Sequence, residues 1–297
     1  MTHRCLSAYA EALAGRVAPT ELLFPGGSGA LVAPLYRDNP IANYFNAAVA
    51  AAVLEIARQS GAGRVLQLTE VGAGTGGTAI AVMQALQDAG IGFRYRFTDL
   101  SPSLIRAART GLRARFPQAE FAVLDLEKPV PAGLTGTADI VIAVNVLHAT
   151  ADIGVTLAHC RALLGAGGTL LLNEAVRRRD FATLVFGLTE GWWRFHDAER
   201  RLPHSPLLDE PGWRAMLAEA GFAAVVSRTA EQAGAEAAQV VLLAQLPASA
   251  AAQPAPALQT ALPTPVPPPG RRHRQGSRGA AHRGAGRGAA GVGGSLA

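Results

Sequence analysis

Two hydrophobic spacings alternate along residues 65–175, and their alternation predicts a sheet covered by helices. Short apolar runs of strand length occur at 65–71, 93–98, 119–124, 139–144 and 169–172. Stretches with helical spacing separate them at 78–89, from Pro102 onward, and at 152–164. A further helix begins at Pro211, and two apolar runs at 222–227 and 239–245 read as a closing strand pair. Repeated strand–helix units predict an α/β fold with a doubly wound, mostly parallel seven-stranded sheet and right-handed crossovers.

The strand–helix pattern is confined to the predicted core, residues 63–246, and the residues on either side of it follow other patterns. Residues 1–62 show helical periodicity and few strand signals, with a long alanine-rich helix at 42–58, so we expect a helical lid or cap. Eight prolines lie between Pro247 and Pro269, which predicts an extended linker. The remaining residues to 297 are mostly arginine, glycine and alanine, which predicts disorder. Residues 247–297 are therefore interpreted as an Ala/Pro linker and a basic disordered tail.

The first predicted strand runs into a glycine-rich corner that favours a nucleotide ligand. Residues 70–77 read Glu-Val-Gly-Ala-Gly-Thr-Gly-Gly, and a helical stretch follows. Glycine permits a sharp turn and a close ligand, while the helix N-terminus supplies free N–H groups. Gly72, Gly74 and Gly77 also satisfy the G-x-G-x-x-G pattern, so a dehydrogenase is one interpretation. Glu70 just before the glycines favours S-adenosylmethionine (SAM), whose cationic groups attract a carboxylate.

Polar residues occupy the far ends of all five predicted core strands, where open parallel sheets bind ligands. They are Glu70, Asp99, Asp125, Asn145, His148 and Glu174. An acidic residue after the second strand can accept both ribose hydroxyls, although Asp99 could equally be a helix cap beside Ser101. Asp125 and Leu126 would supply a polar partner and an apolar wall for an adenine ring.

His148 and Glu174 follow predicted strands that should be neighbours, so the two side chains can approach each other. Histidine titrates near neutral pH and suits general-base catalysis, and a carboxylate on its far nitrogen fixes the tautomer. A lone histidine in this position would more simply be satisfied by backbone, but the placement of Glu174 favours catalysis. A bulky aromatic cluster follows the fifth strand and is interpreted either as core or as walls of a substrate pocket. Its members are Phe186, Trp192, Trp193 and Phe195.

Composition narrows the setting and the class of partner. The net charge of +5 comes from six arginines beyond residue 246, and the rest of the chain has 21 basic and 22 acidic residues. This near-neutral part lacks the excess of basic residues that is typical of nucleic-acid-binding domains. Cys5 and Cys160 provide neither a metal spacing nor a disulfide framework, which favours a reduced, cytoplasmic setting without a metal. We expect no transmembrane helix, because no apolar run reaches about 18 residues, and no signal peptide, because the N-terminus lacks a clean apolar region.

Six segments together carry a family resemblance. They are Glu-Val-Gly-Ala-Gly-Thr-Gly-Gly-Thr (70–78), Phe-Thr-Asp-Leu-Ser-Pro (97–102), Ala-Val-Asn-Val-Leu-His-Ala-Thr (143–150), Leu-Leu-Gly-Ala-Gly-Gly (163–168), Leu-Leu-Asn-Glu (171–174) and Phe-Gly-Leu-Thr-Glu-Gly-Trp-Trp (186–193). With these segments the chain resembles the methyltransferase domains of polyketide synthases, members of the class I SAM-dependent, Rossmann-like methyltransferase fold.

The resemblance implies C-methylation of the α-carbon of a β-ketoacyl chain, held as a thioester on an acyl carrier protein among other polyketide synthase domains. It implies His148 as the base, Glu174 as its partner, and Tyr36 in the lid as a residue that holds the substrate or its enolate. The SAM-binding residues would be Glu70, Gly72, Ala73, Gly74, Asp99, Leu100, Asp125, Leu126 and Asn145. An O-methyltransferase of small polyketide or phenolic substrates, and a non-catalytic structural module of a megasynthase, stay open as alternatives.

Overall fold

A seven-stranded sheet forms the centre of the computed structural model, which describes residues 1–61, 63–229 and 238–248. The strands are β1 Leu66–Val71, β2 Phe93–Asp99, β3 Ala119–Val123, β4 Ala138–Val144, β5 Leu164–Ala175, β6 Ala224–Thr229 and β7 Gln239–Gln245. Their order is β3-β2-β1-β4-β5-β7-β6, with the first five parallel and β7 antiparallel to both of its neighbours. This confirms the predicted doubly wound, mostly parallel sheet. The predicted tail beyond residue 248 lies outside the described residues.

The strand order places a crevice between β1 and β4. β1 pairs with β2 on one side and with β4 on the other, so the chain changes direction of winding at this point. Ligands of open α/β sheets bind at such a switch point, beyond the carboxyl ends of the strands. The central strand β4 is apolar on both faces, with Ile140–Ala143 fully buried, as a strand covered by helices on both sides requires.

Helices cover both faces of the sheet. The helices of the described residues are α1 Thr2–Ser7, α2 Tyr9–Leu13, α3 Pro19–Leu23, α4 Ala33–Tyr36, α5 Pro40–Gln59, α6 Gly77–Asp88, α7 Pro102–Leu112, α8 Ile153–Leu163, α9 Asp180–Phe186 and α10 Glu210–Glu219, and five of them pack on the sheet. α5, α6 and α7 share one apolar core with the sheet, and α8 and α10 share the other. Side chains of Asn39, Ser101, Asp152 and Asp209 accept hydrogen bonds from the first turns of α5, α7, α8 and α10, which explains where these helices begin.

Helix α5 reaches the length of a membrane span, although the polar residues Asn43, Asn46 and Glu55 interrupt its apolar sequence. Its 20 residues are long and apolar enough, by length and composition alone, to cross a membrane. In the structure one side of α5 packs on the sheet and on α6, with Phe45, Val49 and Val53 buried in the shared core. Length and composition alone do not distinguish a core helix from a membrane span. The packing of α5 against the sheet and α6 accounts for its apolar residues.

The N-terminal helices before α5 form a separate apolar cluster together with α9. Leu22, Leu23 and Val32 pack with Val185 and Leu188, so a segment that follows β5 is joined to the N-terminal segment. Residues 1–61 are helical, as the periodicity predicts, but α5 belongs to the main core and the helices before it do not. The division into a lid at 1–62 and a core at 63–246 stays a prediction.

The strand predicted at 169–172 is too short. β5 begins directly after α8 at Leu164 and continues to Ala175, with a shift of register where it starts to pair with β4. The glycines at its start look like a helix end in the sequence, which hides the first part of the strand. As a consequence, Glu174 lies inside β5 and not after it.

Candidate active site

A cavity of about 310 Å³ lies at the crevice between β1 and β4. Several parts of the chain line it. They are the glycine corner after β1, the end of β2 at Asp99 and Leu100, the loop after β4 that begins at Asn145, Asn173 of β5, and the predicted lid with Tyr36 together with the adjoining start of α5. Of the predicted cofactor residues, Glu70, Gly72, Ala73, Gly74, Asp99, Leu100 and Asn145 line this cavity. The structure therefore brings most of the predicted site residues to one place.

Two glycines of the corner make room for other parts of the protein. Gly72 has a φ of +60°, and an added Cβ there would overlap the side chain of Val146, which lines the cavity. A Cβ at Gly77 would overlap the carbonyl oxygen of Tyr36. Glycine at these two positions therefore allows the β4 loop and the backbone at Tyr36 to pack against the corner.

Asp99 ties the corner to the end of β2. One carboxylate oxygen accepts from the backbone N of Gly74 at 2.9 Å, and the other accepts from the backbone N of Ser101 at 2.8 Å. Ser101 itself accepts from the first turn of α7, so Ser101 is the cap of that helix. Burial raises the pKa of Asp99, while the two backbone hydrogen bonds oppose that rise.

Glu70 is a buried carboxyl group with no ion pair among the described residues. It is 2% exposed, and the hydroxyl of Tyr95 donates to its Oε2 at 2.7 Å. Burial raises its pKa to about 8; the Tyr95 hydrogen bond opposes the rise and the charge of Asp99 adds to it. A carboxyl group in this state favours a cationic ligand, because a nearby positive charge stabilises its ionised form. The buried Oγ1 of Thr75 also has no partner among the described residues and lines the same cavity, so the corner fits a ligand that is both cationic and polar.

Asp125 and Leu126 do not line the cavity. Asp125 accepts from the backbone N of Glu127 and pairs with Lys128 at 3.1 Å. Leu126 is buried in the other core, and its carbonyl oxygen lies 2.7 Å from Nδ1 of His159. Their assignment to an adenine site stays a prediction.

His148 and Glu174 are in direct contact. Nδ1 of His148 lies 2.6 Å from Oε2 of Glu174, which is fully buried. Oε1 of Glu174 accepts from the backbone N of Val146 at 3.0 Å and of Leu147 at 2.9 Å. One carboxylate therefore holds both the imidazole and the turn that carries it, Leu147–Ala149. Because Nδ1 is engaged, Nε2 is the ring nitrogen left for proton transfer.

His148 does not itself line the cavity, but residues close to it in the chain do. The residues Val146 and Ala149, on either side of His148 along the chain, line the cavity, and His148 itself is 7% exposed. Asn145 starts this loop in a left-handed conformation, with φ at +48°. Its Oδ1 accepts from the backbone N of Ala175 at 3.1 Å, which fastens the loop to the end of β5.

Tyr36 reaches the cavity from the lid. Burial, and next the charge of Glu174, raise the pKa of its hydroxyl to about 12, so that it remains a hydrogen-bond donor at neutral pH. Asn46, which the sequence reasoning missed, donates from Nδ2 to the Tyr36 carbonyl oxygen at 2.9 Å. Oδ1 of Asn46 accepts from the hydroxyl of Thr78 at 2.7 Å. The one available signal for Asn46 was a polar residue on the apolar side of the predicted helix at 42–58.

The aromatic residues predicted after the fifth strand do not all lie in one place: some lie beside His148, and Trp193 lies at the surface. Trp192 is buried, meets the His148 ring edge-on at a centroid distance of 6.0 Å, and stacks with Phe186 at 6.1 Å. Trp193 is largely exposed, and its Nε1 donates to the carbonyl oxygen of Gly187. Trp192 and Phe186 thus form an apolar wall beside His148.

Asn173, also missed by the sequence reasoning, lines the cavity with a buried Oδ1 that has no partner among the described residues.

Comparison with known proteins supports a methyltransferase fold. A family model described as a methyltransferase domain matches residues 69–170. Polyketide synthase ThaG of Burkholderia thailandensis is 42% identical over 219 residues, which are 73% of this chain and 4% of that synthase. Polyketide methyltransferase ustM of Ustilaginoidea virens is 36% identical over 232 residues, which are 75% of this chain and 52% of the relative. The chain therefore spans a small part of the synthase and about half of the methyltransferase.

Solved structures show the same relationship. The DszA carbon methyltransferase is 38% identical, with a TM-score of 0.75 over 82% of this chain and 64% of that protein. The trans-methyltransferase CalH, solved in complex with SAH, is 28% identical, with a TM-score of 0.68 over 82% of this chain and 66% of that protein. Both are similar to this chain along most of its described length.

Proposed function

We propose, since this chain belongs to the class I SAM-dependent methyltransferases and resembles the carbon-methyltransferase domains of polyketide synthases, that it methylates the α-carbon of a β-ketoacyl thioester on an acyl carrier protein. The observation that carries the proposal is the contact between His148 and Glu174, 2.6 Å long, beside the cavity that the glycine corner lines. A base next to a site for a methyl donor is what carbon methylation needs.

The cofactor side of the site would be formed by the glycine corner. Glu70 would face the cationic end of SAM, Asp99 the ribose, and Leu100 and the backbone of Gly72–Gly74 the remaining surface of the ligand. When bound, SAM supplies an electrophilic methyl group on a sulfonium, which a carbon nucleophile can accept. The protein residues have to generate that carbon nucleophile from the substrate.

His148 would generate the nucleophile. A carbon between two carbonyl groups is acidic enough for an imidazole to deprotonate. The α C–H bond would break, the proton would pass to Nε2, and the electron pair would form the enolate. The α-carbon of the enolate would then form the new C–C bond as the methyl–sulfur bond of the sulfonium breaks, with the electron pair of that bond staying on the sulfur as a neutral thioether. Glu174 would stabilise the imidazolium through Nδ1 and keep the ring in one tautomer, as a carboxylate does for the base in other histidine-dependent enzymes.

Tyr36 would hold the developing negative charge. Its pKa of about 12 keeps the hydroxyl protonated, so it can donate a hydrogen bond to the enolate oxygen. Trp192 and Phe186 would exclude water from the base and pack against the acyl chain. Other domains of a polyketide synthase would deliver the carrier protein, and the reaction would take place in the cytoplasm.

The test offers the protein a β-ketoacyl carrier protein together with isotope-labelled SAM. The expected product has one labelled methyl group on the α-carbon. His148→Ala should bind SAM with unchanged affinity and lose methylation. His159→Ala should keep both, because His159 does not line the cavity and its Nδ1 lies 2.7 Å from the Leu126 carbonyl oxygen.

Each alternative has its own outcome in this experiment. Label on an oxygen atom would favour an O-methyltransferase of a small polyketide or phenolic compound. Calorimetry that detects no SAM binding would favour a structural module of the synthase, and binding of NAD without SAM would restore the dehydrogenase interpretation. An unchanged methylation rate in His148→Ala would exclude His148 as the base.

A further inference from the structure

Arg201 is buried against the turn that carries His148. Its side chain has no exposed surface. Nη1 donates to the carbonyl oxygen of His148 at 2.6 Å and to that of Pro206 at 2.8 Å, and Nη2 donates to the carbonyl oxygen of Thr150 at 2.8 Å. The guanidinium therefore spans the exit of the turn Leu147–Ala149.

Asp197 neutralises this buried cation. Nε of Arg201 donates to Oδ1 of Asp197, and Oδ2 of Asp197 accepts from the backbone N of Ile153 at 2.9 Å. Ile153 is the first residue of α8, so the ion pair also reaches the helix that follows the turn. The Phe195 ring lies 4.9 Å from the guanidinium carbon and covers it. A buried guanidinium needs such partners because removal from water is costly for an unpaired charge.

The side-chain type matters for these contacts. The carbonyl groups of His148 and Thr150 lie at the end of a short 3₁₀ turn, where the helical backbone supplies no further N–H donors. Arginine presents five donors in a planar fork and can bond two carbonyls on one edge and a carboxylate on another. Lysine has one compact ammonium group and cannot reproduce this pattern.

We propose that Arg201, held by Asp197, is a positioning residue for His148. Glu174 holds the start of the turn and the imidazole, and Arg201 holds the main chain at the end of the turn. His148 is then fixed from both directions, and its Nε2 keeps one orientation as the base. This inference rests on the proposed function for the role of His148, but the orientation of the imidazole can be measured without it.

The test replaces Arg201 with lysine and uses Arg200→Lys as the matched control, because Arg200 is a half-exposed neighbour paired with Glu219 at the surface. In Arg201→Lys we expect the His148 imidazole cross-peak in NMR spectra, assigned by its loss in His148→Gln, to move or split. The kcat for a β-ketoacyl thioester should fall about 10²-fold, as misplacement of a catalytic group by about 1 Å does. KM and the dissociation constant for SAM should stay within about twofold, and Arg200→Lys should change none of these.

A folded Arg201→Lys protein with an unchanged His148 cross-peak and an unchanged kcat would overturn the proposal. If Arg201→Lys does not fold, Asp197→Asn decides, because it keeps the shape of the side chain and removes the charge that holds Arg201. An unchanged His148 cross-peak in that variant would equally overturn it. If the wild-type protein fails to methylate any β-ketoacyl thioester, the proposed function fails, and the NMR comparison still reports on the positioning of His148.

Discussion

Replacement of Glu70 by glutamine should stabilise the protein in the absence of a ligand and weaken its binding of SAM. Glu70 is 2% exposed, and its pKa is raised from the ordinary value of 4.5 to about 8. In the unfolded chain the Glu70 carboxyl group is ionised at pH 7. Folding at that pH therefore requires this group either to take up a proton or to be buried with its charge. Glutamine keeps the oxygen that accepts from the Tyr95 hydroxyl and removes this requirement.

The magnitude follows from the linkage between protonation and folding. A raised carboxyl pKa in the folded state means that wild-type stability falls as pH rises from about 4.5 to about 8. At about 1.4 kcal/mol per pKa unit, the cost at pH 7 is about 3 kcal/mol. The melting temperature of Glu70→Gln should therefore exceed that of the wild type by roughly 6 to 12 °C at pH 7, and the difference should be small near pH 5.

Thermal unfolding between pH 5 and pH 8, with and without SAM, measures this difference. Glu120→Gln on β3 is the matched control. Glu120 is half-exposed and pairs with Arg94 at 3.8 Å and with Arg96 at 3.5 Å, so the effect of its replacement should stay below about 1 kcal/mol. Calorimetry in buffers of different ionisation enthalpy should show that the wild type releases about one proton on binding SAM at pH 7. Melting temperatures of the wild type and Glu70→Gln that differ equally at pH 5 and pH 8 would refute a protonated Glu70.

Two further predictions concern the lid. Gly77→Ala should destabilise the protein by about 1 to 3 kcal/mol in urea unfolding, because the new methyl group would overlap the Tyr36 carbonyl oxygen. Gly111→Ala, in helix α7 with open space around it, should instead stabilise by about 0.5 to 1 kcal/mol, and equal effects of the two changes would contradict the close approach of the lid to Gly77. Tyr36→Phe should lower kcat about 10²-fold in the labelled-SAM assay with little change in SAM affinity, since it removes a donor to the enolate. A kcat equal to that of the wild type would exclude this role for Tyr36.

Local pattern was enough to predict most of the sheet and the strand ends that line the cavity. The apolar run of β4 and the capped start of α7 at Ser101 are signals that neighbouring residues alone produce, and both are confirmed. The start of β5 was missed because its glycines resemble the end of a helix. Strand order then brings the ends of β1, β2 and β4 together without further information, which is why Glu70 and Asp99 could be predicted to line one cavity.

Contacts between distant segments could not be predicted in the same way. Asn46 and Arg201 each bond a backbone carbonyl of another element, and a backbone carbonyl has no sequence signature. The glycine pattern assigns Gly77 to a ligand, whereas the structure gives it a neighbour in the Tyr36 carbonyl. The missing information in all three cases is which loop or helix packs over the crevice, and only the tertiary structure supplies it.

The two sides of the site are built by different means. The proposed cofactor side is made at the ends of two neighbouring strands, where Asp99 at the end of β2 bonds the backbone of Gly74 after β1 and a few residues after β1 complete the corner. The side around His148 depends on the segment between β5 and α10, because that segment contributes Trp192 against the imidazole, Arg201 against the turn, and α9 against the N-terminal helices. A sheet with the same glycine corner but another segment after β5 would still have the residues proposed to bind a methyl donor. It would lack the Trp192 ring beside the imidazole and the Arg201 contacts with the turn that carries His148. The choice of the group that receives the methyl is therefore expected to reside in residues 176–209, and exchange of that segment between related domains should change the acceptor while SAM binding persists.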